Sequence, residues 1–242
     1  MGYVFPGRVR FSETGADEKL TLWGILNYFQ DCATFHSEDI GAGFHFLAAR
    51  DRVWVLSSWQ ICVDRYPDVC ENIEVATYPY EFKGFLGMRN FTMKTRNGEL
   101  LAWANSVWSF LEVSTGRPVR VAEDIRGRYG LDEKLDMDYA SRKVPMPREG
   151  KASASVAVSR EHLDGNGHVN NGKYVQLASE YLPEGFAVSR LRAEYKRQAR
   201  MGDVLYPLVE QGDGVCRVAL CDAEGKPFEI TEFMQKEGAR DD

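Results

Sequence analysis

The chain has 242 residues, 44% of them hydrophobic and 27% charged, with a formal net charge of −6. This balance excludes a disordered chain, and the acidic surplus argues against general nucleic-acid binding, which rests on clustered Lys and Arg neutralising phosphates. No uninterrupted apolar stretch approaches the roughly 20 residues that a membrane span needs.

The first residues, MGYVFPGRVRF, hold no basic segment followed by an apolar region and a small-residue cleavage site, so a cytoplasmic location is expected. Met-Gly could start a myristoylation signal, but Pro6 stands where Ser or Thr is wanted. The five cysteines, Cys32, Cys62, Cys70, Cys216 and Cys221, are odd in number and none falls in a CxxC pair. Neither a disulfide framework nor a zinc site is expected from that spacing.

In chain order the first element is a helix. Leu22, Ile25, Leu26, Phe29, Cys32 and Ala33 recur at i, i+3, i+4 spacing, which predicts a helix from near Thr21 to before Gly41. Residues 53–63, 72–78, 86–95 and 100–111 follow, rich in β-branched and aromatic side chains, and read as strands. Asn97-Gly98 between the last two predicts a type I′ hairpin, because both central positions of that turn need positive φ.

Residues 116–150 are charged and carry glycines and prolines, which suits a structured connection with a short helix. The order then repeats. An apolar stripe at Tyr174, Leu177, Ala178, Tyr181 and Leu182 stops at Pro183, and strand-like segments occupy 190–198, 203–210, 214–221 and 227–235. Glu224-Gly225 takes the place of Asn97-Gly98, and the Asp of YPDV (66–69) is matched with the Asp of MGDV (201–204). Pro207 lacks a ladder donor and predicts an edge or bulged strand. A long helix followed by an antiparallel sheet, used twice, is an α+β architecture. The expected division is a first repeat over 1–115, a linker over 116–150 and a second repeat over 151–242.

Chemistry concentrates in HLDGNGHVNNGKY, His162 to Tyr174. Asp164, Asn166 and His168 alternate with Gly165 and Gly167, so their side chains can converge where the glycines let a ligand approach. The run meets a helix start at Asn170 or Asn171, whose free amides and positive dipole end could stabilise an oxyanion. Histidine there can take a proton from water. The same residues also fit a turn followed by an N-cap, which are common for backbone reasons alone.

Other candidates carry less. His36, His45 and His162 suit caps, turns or surface positions. Glu180 on the second helix is a rival base or a solvated residue. Arg190, Arg192, Lys196, Arg197 and Arg200 form a basic patch for an acidic partner or the solvated face of a strand. No metal-ligand spacing, phosphate loop or dinucleotide motif occurs, so no metal or cofactor is expected.

HLDGNGHVNNGKY together with LRAEYKRQARMGDVL (191–205) resembles the acyl-acyl carrier protein thioesterases of the bacterial type, a family of double hot-dog proteins. The likeness extends to YPDVCENIEVATYP (66–79) and TRNGELLAWANSVWSFLEVSTGRPVRV (95–121), and so to nearly the whole chain. The resemblance implies a tandem hot-dog fold, each repeat a helix wrapped by an antiparallel sheet, with Asp164, Asn166 and His168 as the catalytic Asp, Asn and His of the second repeat. It implies hydrolysis of fatty acyl-acyl carrier protein, with the carrier and its phosphopantetheine-linked acyl chain as partner, in a monomer or homodimer.

Plant relatives have a segment like EYRREC whose last Glu and Cys have been given catalytic roles. This chain reads EYKRQA, with Gln198 for the Glu and Ala199 for the Cys. Covalent catalysis at 199 is therefore excluded and water is left as the nucleophile. Gln198 cannot act as a base, although its carbonyl oxygen can position water. Strand parity sets Gln198 off the face of Leu191, Ala193 and Tyr195 unless a bulge intervenes. The first repeat has TGADEKLTLWG at the matching place, without His or Asn, and is expected to shape the acyl pocket with Trp23 and Phe29 as candidates. An acyl-CoA thioesterase and a non-catalytic acyl- or carrier-binding protein on the same fold are the alternatives.

Overall fold

The computed structural model describes residues 2–148 and 151–236. The chain forms two compact units, Met1–Ser57 with Val63–Ala140 and Ser58–Cys62 with Ser141–Asp242. The first holds β1 (Tyr3–Arg8), α1 (Leu22–Asp39), α2 (Phe44–Ala48), β3 (Asn72–Lys83), β4 (Leu86–Thr95), β5 (Leu100–Glu112), α3 (Glu123–Tyr129) and most of β2 (Arg52–Val63). The second holds β6 (Lys151–Ala152), β7 (Val156–Ala157), α4 (Asn171–Ser179), β8 (Val188–Tyr195), β9 (Val204–Gly212), β10 (Val215–Cys221) and β11 (Pro227–Gln235).

In the first unit the strands lie in the order β1-β3-β4-β5-β2 and α1 packs on β1 and β3. Thr21 caps the helix as its spacing predicts, its Oγ1 accepting from Gly24 N–H at 3.2 Å. Ile25, Leu26, Phe29 and Cys32 are wholly buried. Each large apolar side chain so removed from water contributes about 1.5–3 kcal/mol, which fixes which face of α1 meets the sheet. His36, expected at a cap or the surface, lies in this helix and is 7% exposed, stacked on Tyr3 at 5.2 Å.

In the second unit the order is β8-β11-β10-β9-β6, with β7 also on β9 and Ser58–Cys62 of β2 beside β8. The helix α4 packs on β10 and β11. It ends at Ser179, short of the predicted stripe, and Tyr181 and Leu182 sit in a following turn. Pro183 explains this, because its ring disfavours the helical region for the residue before it. Pro207 lies in β9, flanked on one side only by the two-residue strands β6 and β7.

The β4–β5 strands are antiparallel neighbours, but their connection is not a type I′ turn. Gly98 alone has positive φ (87°) there, Gly98 N–H donates to Thr95 O at 3.0 Å and Thr95 N–H to Glu99 O at 2.9 Å. This is a three-residue loop ending in a left-handed residue, and it shifts the register between Met93 and Lys94. Asp222 to Lys226 repeats it, with Gly225 at φ 77°.

The repeat match also needs correction. Leu20 N–H donates to Pro67 O in the first unit, and Val169 N–H to Ala199 O in the second. Asp68 N–H is then held by Glu71 Oε2 and Arg200 N–H by Asp203 Oδ2. Asp203 therefore corresponds to Glu71, and Asp68 to Arg200. Between the repeats, α3 buries Ile125 and Tyr129 against Ala42, Leu47, Phe110 and Val121. The segment after it is pinned by buried Asn90, whose Oδ1 accepts from Leu135 N–H at 3.1 Å and Tyr139 OH at 2.9 Å.

Candidate active site

The site grows from a closed turn. Asp164 N–H donates to His168 O at 2.7 Å and Gly167 N–H to Asp164 O at 3.1 Å, with Gly167 at φ 75°. The Asp164 carboxylate braces the loop from inside, Oδ1 accepting from Asn166 N–H at 2.8 Å and His168 N–H at 3.2 Å. Asp164, Asn166 and His168 are thus brought together on one loop. Asn166 is exposed, while Asp164 and His168 are half-buried. The Oδ1 oxygen of Asp164 thus holds backbone amides of its own loop.

His162 closes the base of the loop. Its Nδ1 accepts from Ser159 N–H at 3.0 Å, and its carbonyl accepts from Asn170 N–H at 2.8 Å. This is the turn role expected of it. Asn170 then caps α4, with Oδ1 accepting from Gly172 N–H at 2.8 Å while Lys173 N–H turns back to Asn170 O at 2.9 Å. The cap therefore occupies amides that were candidates for an oxyanion site.

The partner segment comes from the end of β8. Lys196 N–H and Arg197 N–H both donate to Phe228 O, at 2.8 and 3.1 Å, two residues opposite one, so a bulge does intervene. Beyond it Gln198 is exposed and Ala199 is wholly buried. His168 bridges to Arg200, which sets the Gln198–Arg200 segment beside the loop. The basic patch is largely neutralised: Arg192 pairs with Glu232 at 2.8 Å, Lys196 with Glu194 at 2.6 Å and Arg197 with Asp222 at 2.8 Å. Glu180 is exposed at the end of α4, the solvated reading of that residue.

The first unit repeats the turn without a His or an Asn in it. Gly15 N–H donates to Lys19 O at 2.9 Å and Glu18 N–H to Gly15 O at 3.1 Å. Where His168 faces Arg200, Lys19 faces Asp68 in an ion pair of 2.7 Å. Phe29 packs on Phe91 at 5.3 Å, so the structure uses it as core.

Sequence reasoning missed a buried polar pair on β11. Glu229 and Thr231 of β11 are both wholly buried and hydrogen-bonded to each other, and Glu229 pairs with Tyr195 across the ladder. Tyr195 OH donates to Asn171 O at 3.1 Å, and Tyr174 OH accepts from Ala199 N–H at 2.8 Å. β11 is buried on both faces, so no alternation marked Glu229 as inward.

Comparison with known proteins places this geometry. The acyl-ACP thioesterase N-terminal domain matches residues 6–129, and the acyl-ACP thioesterase C-terminal domain matches residues 147–229. The chain belongs to the acyl-ACP thioesterase family, and its fold is the α+β double hot-dog. A chloroplastic palmitoyl-acyl carrier protein thioesterase from Gossypium hirsutum is 28% identical over 88% of this chain and 56% of its own length. A chloroplastic dodecanoyl-[acyl-carrier-protein] hydrolase from Cinnamomum camphora is 26% identical over 88% of this chain and 60% of its own. The chain thus spans little more than half the length of such curated relatives. Among solved structures, an acyl-ACP thioesterase from Bacteroides thetaiotaomicron superposes with a TM-score of 0.89 at 21% identity, covering 96% of this chain and 97% of its own. The 12:0-ACP thioesterase from Umbellularia californica gives 0.83 at 23% identity, covering 98% of each chain.

Proposed function

We propose that the chain hydrolyses the thioester joining a fatty acyl group to acyl carrier protein, with Asp164, Asn166, His168 and Gln198 as its site. The observation that carries this reading is the braced loop of Asp164, Asn166 and His168 within the part of the chain that matches the family's C-terminal domain. His168 accepts a proton from water as the water oxygen adds to the thioester carbonyl carbon. The C–S bond then breaks and the proton returns to the departing carrier thiol. Asp164 holds the loop that presents His168, Asn166 orients the carbonyl, and exposed Gln198 positions water. Ala199 offers no thiol, so no acyl-enzyme forms there.

In this reading residues 151–242 carry the chemistry, residues 1–115 shape the acyl pocket and 116–150 join them. The protein works in the cytoplasm, as a monomer or homodimer, on the carrier's phosphopantetheine-linked chain. Among the described residues no helix is long and apolar enough to cross a membrane. The missing Glu and Cys favour a second reading, a hot-dog protein that binds acyl carrier protein without turnover.

The test is release of free thiol from acyl carrier protein substrates of varied chain length, with acyl-CoA in parallel. His168→Ala is expected to lower kcat about 10²- to 10⁴-fold with an unchanged far-UV spectrum. Unimpaired turnover in that variant would sink the assignment, preference for CoA would move the substrate, and binding without thiol release would leave the second reading.

A further inference from the structure

We infer that Glu229 is a positioning residue of this site, a protonated carboxyl that keeps the α4 start and the Ala199 segment in place through Tyr195 and Tyr174. The inference rests on the thioesterase reading for its effect on turnover, but its geometry stands apart from it. Glu229 is fully buried on the sheet beneath α4, and its Oε2 has no hydrogen-bond partner. Its other oxygen is bonded to the Thr231 hydroxyl. A buried carboxylate left in this way would be strongly disfavoured.

Two tyrosines carry the effect outward. Tyr195 lies opposite Glu229 across β8–β11 and its hydroxyl donates to Asn171 O, three residues beyond His168. Tyr174 stands at 6.0 Å from the Tyr195 ring, and its hydroxyl receives Ala199 N–H, whose own carbonyl receives Val169 N–H. The α4 start and the Ala199 segment, which lie beside the candidate loop, are therefore tied to the environment of one carboxyl.

Burial raises that carboxyl to about 8, opposed by the Thr231 hydrogen bond. The titratable neighbours are Tyr195 on β8, Tyr174 on α4 and Cys221 on β10, all of which Glu229 pushes further up. Arg197 and Asp203 also act on Tyr174 in opposite directions, as Arg197 and Asp222 do on Cys221. When Glu229 ionises, its charge attracts the tyrosine hydroxyl protons and draws Tyr195 from Asn171 O. The loop then loses its support while His168 is untouched.

The experiment compares kcat/KM from pH 6 to 10 for the wild type and Glu229→Gln on one acyl carrier protein substrate. It also follows the Glu229 side-chain carboxyl and the Asn171 and Ala199 amides by NMR. Glutamine preserves shape and neutrality, so the variant is expected to match the wild type near pH 7. The wild type should fall through about pH 8, about tenfold per further unit, while the variant stays level to pH 9. The wild-type Asn171 and Ala199 amides should shift with the Glu229 midpoint.

An alkaline fall shared by both proteins, or a Glu229 carboxyl that titrates near the usual carboxylate range, overturns the inference. If the wild type releases no thiol at all, the thioesterase reading fails. The amide titration then still decides: amides that move with Glu229 uphold the coupling, and amides that stay still refute it.

Discussion

Asp164 is the residue whose structural and chemical roles separate most cleanly. Its Oδ1 accepts two loop amides, so the side chain supplies shape whatever its charge does. Asp164→Asn keeps an acceptor at that place and removes the charge, while Asp164→Ala removes both. If bracing is its role, Asn should retain kcat/KM within about tenfold, whereas Ala should lose about 1 kcal/mol of stability, as a lost helix cap does, and much more activity. Equal losses in the two variants, measured with unfolding curves alongside, would assign the role to the charge. The loop and the helix start after it were legible in the sequence, because glycines among Asp and Asn predict a turn and the Asn pair predicts the cap that Asn170 makes. Glu229 was not legible, since a carboxyl in a strand buried on both faces leaves no periodic trace and only packing shows that it lacks a partner.

At the scale of elements, one turn geometry serves several sites. It closes Gly15–Lys19, Thr95–Glu99, Asp164–His168 and Asp222–Lys226 with the same pair of backbone bonds. Its fourth residue is left-handed in each, filled by Gly98, Gly167 and Gly225 but by Glu18 at φ 60° in the first repeat. A side chain in that region costs roughly 1–2 kcal/mol. Gly167→Ala is therefore expected to lower the melting temperature and Glu18→Gly to raise it, despite open space around a Cβ at 167. Calorimetry on both variants checks this, and a neutral Gly167→Ala would show that the strain is absent. The same geometry explains a limit of the sequence: Asn-Gly suits both a two-residue and a three-residue hairpin, and only the strand register decides between them. The Asp68–Asp203 match failed for a related reason, since Asp203 takes Glu71's hydrogen bond and not that of the identical residue. Helix α1 was legible to within a residue because its apolar stripe, cap and stop agree.

At the scale of the molecule, the two units carry buried titratable groups of opposite sign. In the first, burial lowers His36 to about 4, helped by Arg89 and opposed by Asp132 and Asp39. The unfolded histidine takes its proton near 6.5 and the folded one does not, so this unit loses stability as pH falls from about 6.5 to about 4. In the second, Glu229 is raised from 4.5 to about 8. The unfolded carboxyl ionises first, so that unit loses stability as pH rises from about 4.5 to about 8, and no more above it. Lowering the pH from 7 to 5 should therefore loosen the first unit while it tightens the second. Difference curves isolate each group from the rest. The melting temperature of Glu229→Gln minus that of the wild type should climb between pH 5 and 8, and that of His36→Gln minus the wild type should climb as pH falls from 6.5 to 4. Flat difference curves would mean that neither group is held in the ionisation state its burial imposes. Opposite slopes would mean that acid and alkali destabilise different units, with the candidate site in the alkali-sensitive one.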